Sequence, residues 1–207
     1  QQLCLLILRH QSMQYSQSNS PVYGILFDGA WLWEEYLATI LCDTKLAEKQ
    51  FLQPSNKTGE GGIKLFDNSQ NDDDEIAFSK CYRRIYPDFY RKNQIILDAK
   101  YKHLENGFVR DDLYQIISYM HTMQIAAGGF IFPISLTTST NQSCEIEVKT
   151  YKLANDSGTV CTIAFPVPQN SENYKEFSEF MISQEKSLIQ VLTKSFWLSL
   201  TAFLAAF

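Results

Sequence analysis

Histidine is scarce in this chain, and cysteine is both odd in number and poorly spaced for chemistry. Its 207 residues hold three histidines and five cysteines, Cys4, Cys42, Cys81, Cys144 and Cys161, with no Cys-x-x-Cys pair. That spacing excludes a zinc site and a disulfide framework, and free thiols set the expectation of a cytoplasmic protein. No glycine-rich loop able to cradle a phosphate occurs, nor any Ser-His-Asp order that would suggest acyl transfer. His121 stands alone in a helical stretch and reads as an ordinary solvated side chain. Long apolar runs are missing too. Ser195 to Phe207 is apolar for thirteen residues, against about twenty for a bilayer span, so a packing helix is expected rather than a membrane anchor. Leu3 to Leu8 is apolar but lacks the flanks of a signal peptide. It reads as the end of a truncated core helix, and with Gln at position 1 the chain is expected to be a C-terminal fragment of a longer protein. The acid run Asp72-Asp73-Asp74-Glu75 lacks the glycine and terminal Glu of a calcium loop, and reads as a solvated segment.

Basic charge is also in deficit overall, with a net charge of −5, but it is unevenly spread. Between Lys80 and His103 seven basic residues (Lys80, Arg83, Arg84, Arg91, Lys92, Lys100 and Lys102) face two acids, Asp88 and Asp98. A basic strip in an otherwise acidic chain suits a phosphate backbone. The same stretch carries the most informative pattern. Tyr86 to Lys102 (YPDFYRKNQIILDAKYK) begins with Pro87-Asp88, turns over Arg91-Lys92-Asn93 and climbs through Ile95-Ile96-Leu97 to Asp98-Ala99-Lys100. This predicts a β-hairpin with a buried second strand. Residues two apart on a strand share a face, so Asp98 and Lys100 point the same way, and Asp88 comes beside them from the partner strand. Two carboxylates and a lysine at one strand end can hold a divalent cation and place an ammonium beside a reacting phosphodiester.

Pro87-Asp88 followed by Asp98-Ala99-Lys100 resembles the Pro-Asp…(Asp/Glu)-x-Lys pattern of the restriction-endonuclease-like nuclease superfamily. Two further segments narrow the resemblance to McrC-type nuclease subunits of GTP-dependent, modified-cytosine restriction systems. Leu32-Trp33-Glu34-Glu35-Tyr36-Leu37 is similar to their Leu-Phe-Glu-x-Tyr-Val segment, with Trp for Phe and Leu for Val. Asp112-Leu113-Tyr114-Gln115…Tyr119 is similar to their Asp-x-Tyr-Gln…Tyr pattern. The match runs from about Gly24 to Pro133 and fades after about Thr137. It implies a Mg²⁺-dependent DNA endonuclease, with Mn²⁺ able to substitute, acting as the cleavage subunit of a McrBC-like system. Asp88, Asp98, the Ala99 carbonyl and Glu34 would hold the metal, with Glu35 as the alternative to Glu34. Lys100 would lower the pKa of the attacking water or stabilise the developing phosphorane charge, and Gln115 would orient that water or a phosphate oxygen. Arg84, Arg91, Lys92, Lys102 and Tyr119 are the candidate DNA contacts, Tyr119 either touching DNA or packing. The implied partners are modified-cytosine duplex DNA, a McrB-like AAA+ GTPase, and a second copy for double-strand cutting. No membrane partner is expected.

Elsewhere the elements follow from pattern. Gln11 to Ser20 is a polar linker. Asp28 caps a helix over Ala30 to Cys42 that buries Trp33, Leu37, Ile40 and Leu41. Gln53 to Gly62 is turn-rich. Asp111-Asp112 is read as the cap of a helix over Leu113 to Ile125, with Leu113, Ile116, Ile117 and Met120 on one stripe, stopping at Gly128-Gly129. Phe130 to Ser135 is a buried strand. Glu145 to Leu153 and Thr159 to Val167 form a hairpin. A last helix, Asn173 to Phe196, packs through Tyr174, Phe177, Met181, Leu188, Val191 and Leu192. The expected fold class is α/β, a restriction-endonuclease-like core with a mixed central sheet flanked by helices. All 207 residues form a single domain in this reading: 1–20 truncated helix and linker, 21–135 catalytic core, 136–207 hairpin and C-terminal helices. Two other functions remain open: a non-catalytic interaction module on a nuclease fold, and another nuclease of the superfamily acting in DNA repair.

Overall fold

The computed structural model describes residues 28–42, 51–65, 84–102, 104, 107–136, 145–169, 171 and 173–204, with side chains through 193 in the last stretch. The expected truncated helix, the linker, the Asp72–Glu75 run, Lys80, Arg83, Cys4, Cys81, Cys144 and His103 lie outside the described residues.

Three central strands set the architecture. Strand β4 (Ile95–Ala99), β5 (Ala127–Leu136) and β7 (Thr159–Pro168) run parallel and adjacent, flanked by antiparallel edges β3 (Phe89–Arg91) and β6 (Glu147–Lys152). The sheet order is therefore β3-β4-β5-β7-β6, a mixed sheet flanked by helices as the expected fold class required. Parallel strands carry cover on both faces and so read as unbroken apolar runs. Helices α1 (Gly29–Leu41) and α3 (Tyr174–Leu204) lie on one face, where Trp33, Leu37, Leu188 and Leu192 join Ile95, Leu97, Ile131 and Phe165 in one core. Helix α2 (Arg110–Met123) covers the other, with Ile116, Tyr119 and Met120 against Ile96, Phe130 and Val160. Ile95-Ile96-Leu97 thus alternates between two cores, which fixes the face on which Asp98 emerges.

Helix α1 follows its sequence signals closely. Asp28 accepts hydrogen bonds from the Ala30 and Trp31 amides at 3.0 and 3.2 Å, and Trp33, Leu37, Ile40 and Leu41 are its buried residues. Other expectations need correction. Helix α2 starts three residues early, at Arg110, and its N-cap Val109 makes no side-chain cap bond, so Asp111-Asp112 is its first turn rather than its cap. It ends on Gln124 in a left-handed conformation, not at Gly128-Gly129. Both glycines are strand residues of β5, where close packing excludes a side chain. A Cβ on Gly128 would come within 2.6 Å of Met120 Sδ, and one on Gly129 would collide with Cys161 Sγ and reach 3.2 Å from Leu97. Tyr174 is 83% exposed and takes no part in packing; Phe177, Met181 and Val191 are partly buried. Helix α3 continues to Leu204, through most of the apolar C-terminal stretch. Strands β1 (Ile63–Lys64) and β2 (Arg84–Ile85) form a separate antiparallel pair that the sequence did not announce. The β6–β7 hairpin forms as expected.

Cys42 and Cys161 form no disulfide, and burial pushes Cys161 up to about 12, so it packs rather than reacts. Among the described residues no helix is long and apolar enough to cross a membrane.

Gly129 is where the fold is least forgiving. Gly129→Ala is expected to lower stability by about 1–3 kcal/mol through overpacking between β4 and β7. Urea unfolding would read this, and an unchanged midpoint would contradict the packing described.

Candidate active site

The hairpin of β3 and β4 closes over Arg91 to Gln94, where Asn93 adopts φ 56° and the Gln94 amide donates to the Arg91 carbonyl at 3.1 Å. Phe89 pairs with Leu97 and Arg91 with Ile95. That register carries Asp88 to the far end of β4, where its Oδ2 accepts the Ala99 amide at 2.7 Å. Leu52 bridges the outer side of β3 through two backbone bonds with Tyr90, at 2.8 and 2.9 Å. Its neighbour Gln53 then donates from Nε2 to Glu34 Oε1 at 3.2 Å. Glu34 is partly buried while Glu35 is exposed, which leaves Glu34 as the α1 carboxylate facing the hairpin.

Asp98 is only 2% exposed and lies 2.6 Å from Lys100 Nζ. The same ammonium lies 3.3 Å from Asp112 Oδ1 and donates to Gln115 Oε1 at 3.2 Å. Its three hydrogens thus have three acceptors. Gln115 Nε2 donates to the Tyr119 hydroxyl at 2.9 Å, completing a chain from β4 across α2. Lys102 pairs with the other oxygen of Asp112. Asp112 is the member of this cluster that sequence reasoning missed. It occupies a first-turn position typical of a cap, but with Gln115 and Tyr119 it lies at i, i+3 and i+7 on one helix face, and that spacing was the available signal.

The electrostatics mark surplus negative charge. Asp88 is raised from 3.8 to about 7, by burial first and then by the charge of Asp98, with Glu34 adding to the shift; the Ala99 amide and Lys100 oppose it. Burial also raises Asp98 against the pull of Lys100. Burial alone would lower Lys100, yet Asp98 and Asp112 carry its ammonium above the ordinary lysine value. The donors are all carboxylate or carbonyl oxygens, the hard set that Mg²⁺ prefers; this ion is commonly held by one or two carboxylates with waters completing its shell. Asp88 and Asp98 fit that description, because a buried carboxyl with raised proton affinity is relieved by a divalent cation. Among the described residues, no group of three or more His, Cys, Asp or Glu side chains is arranged to hold a metal, and two carboxylates with Glu34 beyond them is the most that these residues assemble.

The candidate DNA contacts are not brought together. Arg91 is a correction: it is buried, stacked 4.3 Å from the Phe51 ring and bonded to Gln94, because its strand position points inward. Lys92 is exposed at the hairpin turn, just beyond the Arg91–Ile95 pair, roughly 13 Å along the strand from Asp98 at ~3.3 Å per residue. Arg84 is exposed on β2 and donates to the Gly62 carbonyl at 2.8 Å. Lys102 is at the site but committed to Asp112. Tyr119 is buried and packs.

A family model described as "McrBC 5-methylcytosine restriction system component" matches residues 1–133. Among solved structures, a chain in an assembly of Thermococcus gammatolerans McrB AAA+ hexamers with bound McrC is similar at 18% identity, with a TM-score of 0.46. That match covers 81% of this chain and 34% of the other, so this chain spans about a third of its length. No curated protein matches.

The raised value of Asp88 has a thermodynamic consequence. Between about pH 4 and pH 7 the folded state holds a proton that the unfolded state has released, so stability falls as pH rises through that window and stays reduced above it. Asp88→Asn keeps an acceptor for the Ala99 amide and removes the charge. In EDTA it is expected to be about 1–3 kcal/mol more stable than wild type at pH 8, with the gap closing at pH 4. Urea titrations at the two pH values check this. A variant less stable than wild type at pH 8 would show that Asp88 is not charge-frustrated.

Proposed function

The chain belongs to the family of McrBC 5-methylcytosine restriction system components, and on that premise we propose that it is a McrC-type subunit that hydrolyses DNA phosphodiester bonds with Mg²⁺. The observation that carries the reading is the Lys100 ammonium held against buried Asp98, with Asp88 brought to the same strand end by its bond to the Ala99 amide. A scaffold has no reason to bury like charges together, whereas a hydrolytic site does.

In this reading Asp88 and Asp98 hold the cation, with the Ala99 carbonyl and Glu34 as further oxygens, Glu34 directly or through water. When bound, Mg²⁺ polarises the phosphodiester and offsets the repulsion between carboxylates and an anionic backbone. Lys100 would act beside the attacking water and stabilise charge developing on it or on the phosphate oxygens. Asp112 and Gln115 hold the ammonium in that direction, and Gln115 can exchange its bond to Lys100 for one to water or phosphate. Arg84, Lys92 and Lys102 supply contacts to the backbone; Arg91 supplies none. A McrB-like AAA+ GTPase would recruit the subunit to modified-cytosine DNA, which accords with an acidic chain whose own cations are few. Two copies would be needed to cut both strands.

A second reading, a non-catalytic module on the same fold, has one observation in its favour: the described residues assemble no three-carboxylate metal cluster. Plasmid cleavage with Mg²⁺ or Mn²⁺, with and without a GTPase partner and GTP, separates the two. Asp98→Ala and Lys100→Ala are each expected to reduce cutting by about 10²-fold or more while leaving a folded protein. Retained cutting by both variants would defeat the nuclease assignment. No cutting by wild type, with no metal-induced rise in melting temperature, would leave the scaffold.

A further inference from the structure

Asp112 holds two lysines, and they are not equivalent. Lys100 gives its three hydrogens to Asp98, Asp112 and Gln115. Lys102 has one acceptor among the described residues, the second oxygen of Asp112. The two side chains reach that carboxylate from the segment that leaves β4, and they differ in their access to water. The Lys102 side chain is 41% exposed against 17% for Lys100, and Asp112 beneath them is 12% exposed. Opening the Lys102 pair therefore moves only its outer, long-stemmed partner, while Asp112 Oδ1 keeps Lys100 at 3.3 Å. The buried carboxylate is never left without a cation, which is the condition that makes breaking a buried pair costly. The cluster can open at one end and stay closed at the other.

Lysine meets phosphate as a point charge and needs no fixed fork, so Lys102 can exchange one anionic oxygen for another without rebuilding the site. It stands where such an exchange is useful. Its charge is felt at Asp98, whose proton affinity it lowers, so a phosphate that it held would lie beside Asp98 and Lys100. We propose that Asp112 is an internal substitute for phosphate, which holds Lys102 beside the acids until the backbone of a DNA strand takes the ammonium over. The inference rests on the nuclease reading, because it names the contact that the substrate of this site displaces. The two oxygens of Asp112 then have separate roles: Oδ1 fixes Lys100 throughout, and Oδ2 restrains Lys102 until DNA arrives. The restraint lowers affinity, since the phosphate contact replaces an ion pair that already exists.

The test is binding of an unmodified duplex oligonucleotide by fluorescence anisotropy, in EDTA, over a salt series starting at about 50 mM. The proteins are wild type, Lys102→Ala, Asp112→Asn, the double variant and Asp111→Asn, with urea midpoints to show that each is folded. Asn at 112 keeps an oxygen for Lys100 and loses the charge that restrains Lys102. Lys102→Ala is expected to flatten the slope of log affinity against log salt by ~0.9, the value of one phosphate contact. Asp112→Asn is expected to tighten binding about fivefold, the upper end of what a partly exposed ion pair is worth. In the Lys102→Ala background the same substitution should gain no more than about twofold. Asp111→Asn removes equal charge from the exposed neighbouring side chain, and should also stay within about twofold. An unchanged slope in Lys102→Ala would show that Lys102 never leaves Asp112 and would overturn the inference; if Asp112→Asn does not fold, that slope decides alone. A gain that persists without Lys102, or an equal gain from Asp111→Asn, would overturn it by assigning the effect to net charge. Wild type that binds no duplex at about 50 mM salt would overturn it too. The nuclease reading survives each of these results, because it is judged by metal-dependent cutting in wild type against Asp98→Ala.

Discussion

The structure of the site depends on one ammonium group. Asp98 is interior to a sheet covered on both faces, and an unpaired carboxylate there would cost several kcal/mol. Lys100 offsets that cost and in doing so links two elements, its own strand end and helix α2, which it meets at Asp112 in the first turn and at Gln115 one turn further on. Asp88 is served less well. It has one backbone amide at 2.7 Å and only a distant share of the lysine's charge, so burial and its neighbours drive it to about 7. The arrangement neutralises one of two adjacent acids and leaves the other short of positive charge. That asymmetry distinguishes the strand end from a closed ion pair.

The position of this group within the sheet follows from topology. Strands β4, β5 and β7 are parallel, so their carboxyl ends lie along one edge, and ligands of open α/β sheets bind beyond such ends. The β4 strand is only five residues long while β5 and β7 have ten each. Strand β4 therefore stops beside neighbours that continue, and Ile131 on β5 is still in regular structure where Lys100 leaves it. A carbonyl in that situation has one lone pair used by the ladder and one to spare, which is the opening that Trp33 occupies.

Much of this was legible in the sequence, for identifiable reasons. The α1 stripe was readable because capping by Asp28 and the spacing of Trp33, Leu37, Ile40 and Leu41 are local signals. The face of Asp98 and Lys100 followed from strand alternation alone, and Gln115 with Tyr119 from helical spacing. The errors share a cause, which is that a local pattern had two readings and a distant residue chose between them. Asp112 has the sequence position of a cap, but Lys100 and Lys102, ten and more residues away, draw it inward. Gly128-Gly129 has the composition of a helix stop, but Met120 and Cys161 need the space that side chains would take. Arg91 sits beside a turn and reads as solvated, until Phe51 supplies a ring for it to cover. The two-residue strands β1 and β2 are too short to show any period.

The burial of Arg91 changes the electrostatic argument most. Read as a strip, the segment from Lys80 to His103 is a basic surface for a phosphate backbone. Folded, its described cations are dispersed: Arg91 is inside, Lys100 and Lys102 are held by Asp98 and Asp112, and Lys92 lies at the opposite end of the hairpin. A charge already committed to a carboxylate releases few counterions from DNA, and counterion release dominates non-specific affinity. The chain's own field around the acids is thus negative rather than basic, on a body carrying a net charge of −5. Under the nuclease reading proposed above this is a coherent arrangement: with little intrinsic attraction for duplex DNA, cutting would depend on a divalent cation at Asp88 and Asp98 and on a partner that delivers the strand.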